Sequence, residues 1–375
     1  MNKKELTELR RRLKPDRSNI GHIYGCYVNG SREIISTFDE SLGLLSKEES
    51  EKYVSLLKKS LSGSLGRTLM NLSFDTRQVV DSDEHRLLSA LRSSALKDEE
   101  IRSAFYKCVT EALDMKGENY LILLAYDVYD VPQYNAAGDL DEDSSRVYSY
   151  VICSVCPVKT GKSVLGYSKE DERFENLSLT QVVAQPEMGF LFPAFDDRAA
   201  NIYSALFYSR STKEVRSDFI DAVFKTKLPM SPAQQKETFN SAVADTLKNE
   251  CSFELMKGVH SSLRQIIETH KELKDPEPLV ITVEEAGEIL EKNGMSESEY
   301  EPFLSECKEK FGSDAAISPE NIIPGKKMEI HTGSVKISAD PEFGNLIKTD
   351  TVNGKKYLLI PLEGDIELNG IKVKA

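Results

Sequence analysis

Three adjacent charged residues, Asp196, Asp197 and Arg198, are the strongest candidates for chemistry in this 375-residue chain. Paired carboxylates can divide acid and base work between them when burial pulls their pKa values apart, and the arginine could pair with either one. Neighbouring acids in a turn more often cap backbone groups and stay in water, so a purely structural reading stands beside the chemical one. The trio is favoured because it connects two aromatic-rich runs, and loops carried on a rigid sheet often hold function.

The other patterns stop short of complete motifs. Thr160-Gly161-Lys162-Ser163 matches the end of a phosphate-binding P-loop, but Cys156 stands where the first glycine should be. The residues after Ser163 lack the helical period that would aim backbone N–H groups at a phosphate, so a turn after a strand is the better reading. Cys153-Ser154-Val155-Cys156 has zinc or redox spacing without a second ligand pair. In an extended strand those two sulfurs point to opposite faces, which favours packed thiols. Asp139-Leu140-Asp141-Glu142-Asp143 could gather oxygen ligands, but Ser144 and Tyr150 occupy the places where a calcium loop needs glycine and glutamate. A solvated hairpin loop is expected there. His22, His85, His260, His270 and His331 are scattered, and no G-x-S-x-G elbow exists to pair with any of them. No cofactor and no metal are expected.

These residues must be positioned by a sheet. Four apolar, tyrosine- and phenylalanine-rich runs at about 119–130, 146–157, 188–195 and 201–209 read as the strands of a central antiparallel or mixed sheet. The polar stretch 196–201 joins the last two as a hairpin. Pro193 lacks a backbone donor, so its strand is expected at an edge or with a bulge. The aromatics could stack bases as sheet-based RNA binders do, but the helices around them need an apolar surface to cover, so core packing is preferred.

Upstream, residues 3–14 read as a helix ended by Pro15, and 20–28 and 32–38 as a hairpin turning at Asn29-Gly30. Ser46 and Glu49 form a capping box that opens a helix to about Leu61, 67–74 resembles a strand, and helices follow near 83–94 and 98–115. Residues 159–180 are polar and irregular. Helices run from Ser231 to about 248 and from 252 to 272, ahead of the linker Lys274-Asp275-Pro276-Glu277-Pro278. Thr282/Glu285 and Ser296/Glu299 cap two further helices, and residues 283–313 carry nine glutamates against three lysines. Beyond Pro324-Gly325 come short strands with turns at Asn353-Gly354 and Asn369-Gly370.

The expected architecture is α+β. Residues 1–210 form a core domain, 211–275 a helical segment packing on it, 279–323 an acidic helical pair, and 324–375 a small all-β module. Hydrophobic residues make up 40% of the chain, enough for a sizeable core, and no apolar run is long enough to cross a membrane. The first residues are charged with no apolar stretch behind them, so a secretory signal is not expected and a cytoplasmic location is. Six dispersed cysteines read as reduced core thiols. A net charge of -13 argues against wholesale nucleic-acid binding, although residues 1–17 hold seven basic residues against three acids. That run reads as a solvated helix face.

The segment GFLFPAFDDRAANIYSALFYSR, with YSYVICSVCPVKTGK before it, resembles a bacterial family known as domain of unknown function 4317. The resemblance extends through most of the chain. It implies a bacterial, intracellular protein and transfers no catalytic residue.

The leading functional expectation is a non-enzymatic binding or scaffold protein with a protein partner, able to form homo-oligomers. The acidic helices at 282–312 and the C-terminal hairpins are the expected partner-facing parts. One alternative is a hydrolase-type enzyme using Asp196, Asp197 and Arg198. A deep pocket beside that hairpin with a buried carboxylate would favour it. A second is a nucleic-acid-associated protein, since the C-terminal strands faintly resemble a module of bacterial nucleoid-associated proteins. A continuous basic groove would favour that reading.

Overall fold

A computed structural model describes residues 1–132, 146–161, 164–168, 171–177, 181–212, 215–227, 229–312, 316–323, 328–333, 335–340, 346–361, 366–368 and 371–373. The chain forms two compact units, Met1–Ser231 with Pro276–Pro278, and Pro232–Asp275 with Leu279–Ala375.

The first unit runs α1 (Lys3–Arg12), β1 (His22–Val28), β2 (Ile34–Ser41), α2 (Lys47–Lys59), β3 (Leu69–Ser73), α3 (Thr76–Asp81), α4 (Asp83–Ser93) and α5 (Glu99–Ala112). It continues with β4 (Asn119–Val131), β5 (Arg146–Lys159), β6 (Val164–Ser168), β7 (Arg173–Leu177), β8 (Val182–Val183), β9 (Met188–Phe192), β10 (Ala194–Asp196), β11 (Ala199–Asn201), β12 (Ser204–Ser209) and α6 (Ser217–Val223). The expected α+β architecture is observed, and the sheet is wholly antiparallel. Its order is β2-β1-β4-β5-β9-β12-β3, with β8 alongside the end of β5.

Both faces of this sheet are covered, and the alternation of side chains divides its residues between two cores. Tyr120, Ile122, Val151, Cys153, Phe190 and Phe207 point to one face, where α4, α5 and α6 cover them. Leu121, Leu123, Tyr148, Tyr150, Ile152, Leu191 and Leu206 point to the other, beneath α1 and α2. The aromatic residues of the central strands are interior, as expected; Tyr120, Tyr148, Tyr150, Phe190, Phe192, Phe195 and Phe207 are all buried.

Three local expectations need correction. The strand ending at Pro193 is not at an edge, because β9 lies between β5 and β12. Pro193 falls just beyond its last paired residue, so its missing N–H removes no ladder bond. The stretch 159–180 is not irregular throughout, since β6 and β7 pair within it from Val164↔Leu177 to Ser168↔Arg173. The 188–209 hairpin is split, with β9 and β12 pairing in the large sheet while β10 and β11 form a small ribbon beyond it.

The second unit contains α7 (Pro232–Leu247), α8 (Phe253–Glu272), α9 (Val283–Lys292), α10 (Glu297–Phe311) and α11 (Pro319–Ile322). Phe239, Val259, Leu263, Leu290 and Phe303 meet in one apolar core, so α7 and α8 share an interior with the acidic pair α9 and α10. The helical stretch 211–275 is thereby divided, with α6 in the core of the first unit and α7 and α8 in that of the second. Thr282 and Glu285 form the expected reciprocal cap on α9. Three separate hairpins follow, β13–β14 (Met328–Thr332, Val335–Ala339), β15–β16 (Lys348–Val352, Lys355–Leu359) and β17–β18 (Ile366–Leu368, Ile371–Val373).

Candidate functional site

Asp197 and Arg198 form the two-residue turn of the β10–β11 ribbon, with φ of +48° and +56°. Two positive φ values suit the right-handed twist of a hairpin, and they are usually supplied by Asn-Gly rather than Asp-Arg. A left-handed arginine costs about 1–2 kcal/mol, and its surroundings offset that. The Arg198 backbone N–H donates to Glu5 Oε1 at 3.2 Å, Nη1 donates to Glu8 Oε2 at 2.6 Å, and Nη2 donates to the Pro132 carbonyl at 2.7 Å. Asp196 accepts from the Met1 ammonium at 3.0 Å and from Asn201 Nδ2 at 2.9 Å. Burial opposes its charge, but the Asn201 amide and the ammonium outweigh that and hold the carboxyl below its ordinary range. Asp197 is exposed.

These contacts belong to a polar seam along one side of α1. Glu5, Glu8 and Arg12 share a helix face by their spacing. Tyr129 donates its hydroxyl to Glu8, and Arg12 sits 4.6 Å over the Tyr129 ring while donating to Asp127 Oδ1 at 2.9 Å. Asp127 is fully buried and also accepts from the backbone N–H of Asn19 and Val128 and from the Tyr150 hydroxyl at 2.7 Å. Tyr148 stacks on Tyr150 at 4.9 Å and donates to the Pro193 carbonyl at 2.7 Å. The arrangement anchors α1 on the sheet, with Asp196 and Arg198 of the ribbon met by the Met1 ammonium and Glu8, and Asp127 met by Arg12.

The remaining sequence candidates are placed apart. Cys153 and Cys156 are both buried, and burial raises both thiols, Cys156 to about 12 and Cys153 well above its ordinary value. His85 is enclosed by Phe74 and Phe192, with Nε2 2.9 Å from the Ile202 carbonyl. Of Thr160-Gly161-Lys162-Ser163, the last two residues lie outside the described residues, as does all of Asp139–Asp143. Among the described residues no group of three or more histidine, cysteine, aspartate or glutamate side chains is placed to hold a metal ion. No helix among them is long and apolar enough to cross a membrane.

A different feature stands out on the face that carries α2. A groove of about 1250 Å³ opens between that helix, strands β1 and β2, and the segment around β8. Its construction begins at Gly25 of β1, whose missing side chain lets the Phe38 ring lie across the strand. Phe38 thereby reaches the Tyr53 ring of α2, with centroids 6.2 Å apart. Tyr27, held by Asn119 Nδ2 at 2.8 Å from its hydroxyl, lines the floor with Leu121 and Val158. Val182 and Val183, each more than a third exposed, form the far wall. Among the described residues Glu40, Glu48, Glu49 and Glu51 stand around it with a single lysine, Lys52. Burial, followed by the charges of Glu40 and Glu49, pushes the Tyr53 phenol up. Sequence reading missed this groove because its walls come from segments more than a hundred residues apart. The one local signal was a glycine inside an otherwise apolar strand.

A smaller, polar cleft of about 520 Å³ is lined by Lys116, Glu118, Glu187, Arg210 and Arg216. Arg216 is bound there to Asp218 Oδ2 at 2.7 Å.

Residues 1–371 match the family described as domain of unknown function (DUF4317), and the chain belongs to that family. No curated protein matches the chain.

Proposed function

We propose that this is a non-enzymatic binding or scaffold protein of the bacterial cytoplasm, and that a protein partner docks in the groove beside α2. The carrying observation is the groove itself, in which Tyr27, Phe38, Tyr53 and the exposed Val182 and Val183 line an apolar cleft over the buried Leu121 and Val158, on a sheet whose opposite face is covered by three helices. Apolar clefts of this size on otherwise covered sheets are where partners or ligands settle. The groups offered for a hydrolase-type site support the same reading, because Asp196 and Arg198 are engaged with the Met1 ammonium and Glu8. The acidic surround of the groove and the net charge of -13 disfavour a nucleic-acid phosphate there.

Photo-crosslinking in the bacterial cytoplasm tests this. A benzophenone amino acid at Ser55 or Gln181, both at the groove, is expected to give a discrete protein adduct. The same residue at Val80, exposed and not part of the groove lining, is expected to give none. Absence of any adduct from the groove positions overturns the proposal.

A further inference from the structure

We infer that the occupant of the groove is a cationic amphipathic helix of a partner protein; this rests on the docking role proposed above.

A helix about 10 Å across rising 1.5 Å per residue fills roughly 120 Å³ per residue, so a 1250 Å³ groove admits about ten residues, or roughly three turns. The layers point the same way. Among the described residues one face of the sheet carries α4, α5 and α6, whereas the other carries α1 and α2 alone. The groove lies next to α2, where a third helix would complete that layer. Its floor offers side chains at strand spacing, on the sheet face that Val54 and Leu57 of α2 already cover.

Charge selects among helices. Among the described residues four glutamates and one lysine line the groove, and Lys52 is itself bound to Glu48 at 2.7 Å. Glu51 has only the weak 4.0 Å contact with Lys47, and Glu40 stands beside the Tyr53 ring. A helix with leucine-like residues on its inner face and lysine or arginine along its flanks satisfies both floor and rim. A second copy of this chain fits poorly. Its most basic segment is residues 1–17, and the Leu6, Leu9 and Leu13 side chains of that segment are already buried in its own core.

The test uses the full-length protein and a fluorescein-labelled peptide of about fifteen residues with leucine on one helical face and lysine on the other. Three comparison probes are a scrambled Lys/Leu peptide, a Glu/Leu peptide of the same pattern, and a single-stranded oligonucleotide. Fluorescence anisotropy is expected to show saturable binding of the patterned Lys/Leu peptide alone, weakening as salt rises. Glu40→Lys with Glu51→Lys should reduce its affinity by about tenfold or more. Glu288→Lys, Glu291→Lys and Glu301→Lys together, on the acidic pair outside the groove, should leave it within about twofold. Circular dichroism confirms that both variants fold.

Equal binding of the scrambled peptide, equal loss in the two variants, or tighter binding of the acidic peptide or oligonucleotide overturns the inference. If the groove crosslinks a partner in cells while the Lys/Leu peptide does not bind, the cationic helix is wrong and the docking role stands. If neither is seen, both fall.

Discussion

Phe38 of β2 lies across its register partner Gly25 of β1, so close that a Cβ on the glycine would overlap the aromatic ring. Cross-strand covering of a glycine by an aromatic ring shields the backbone there and fixes the ring's direction. In this protein that direction is toward Tyr53 and the groove.

Gly25→Ala is therefore expected to displace the ring and destabilise the first unit by about 1–3 kcal/mol. Removing the ring should relieve the overlap, so Phe38→Ala costs less in the Gly25→Ala background than alone. Urea unfolding of the four proteins reads that coupling. Strict additivity would mean that ring and glycine do not meet.

The Arg198–Glu8 pair makes a second test. Its side chains are 36% and 23% exposed, so solvent screening reduces the contribution of the charge. Breaking it also strips the Pro132 carbonyl of its donor and leaves Glu8 with only the Tyr129 hydroxyl. Arg198→Met is expected to cost about 1–2 kcal/mol, with most of a Glu8/Arg198 double-mutant cycle appearing as coupling. The fully exposed Glu48–Lys52 pair should give clearly weaker coupling by the same measurement. Equal coupling in the two pairs would contradict the anchoring role of the α1 seam.

How much of this could be read from the sequence depends on whether a contact is local. The caps Ser46/Glu49 and Thr282/Glu285 are visible because a capping box needs residues three apart, and both form as expected. Strands β4 and β5 are visible because long apolar runs flanked by charge have few other readings. The short α3 and the β6–β7 hairpin escaped because Thr76–Asp81 and Arg173–Leu177 are polar and lack a marked period. The candidate trio was found by composition, but its engagement with α1 was not. Nothing near Asp196 signals that Glu5 and Glu8 arrive from the far end of the sequence.

Alkaline pH provides a third prediction. Tyr148 and Tyr150 are fully buried, and burial pushes both phenols well above their ordinary value, with the Asp127 carboxylate adding to the effect at Tyr150. The native state therefore holds these protons more tightly than the unfolded chain. Their stabilisation is complete below about pH 10 and declines as pH rises beyond it. Tyrosinate absorbance should rise first from the exposed tyrosines, with the buried pair titrating only during cooperative unfolding. Ionisation of every tyrosine before unfolding would contradict the packing.

Thiol reactivity supplies the fourth. Cys251 is the one exposed cysteine, and Cys108 is half-buried. Burial raises Cys26, Cys156 and Cys307 each to about 12 and Cys153 well above its ordinary value. A disulfide reagent at pH 8 is expected to label Cys251 first, Cys108 more slowly, and the other four only on unfolding. Rapid native labelling of Cys153 or Cys156 would reopen the case for a reactive pair.

The anchoring of α1 also bears on the order of assembly. Glu8 and Arg198 are separated by 190 positions, and Arg12 and Asp127 by 115. At roughly 5–20 residues per second, the ribosome delivers the ribbon about ten to forty seconds after the helix it secures. Until then Glu8 lacks its arginine, so the seam that fastens α1 closes only late in synthesis, however early the helix itself winds.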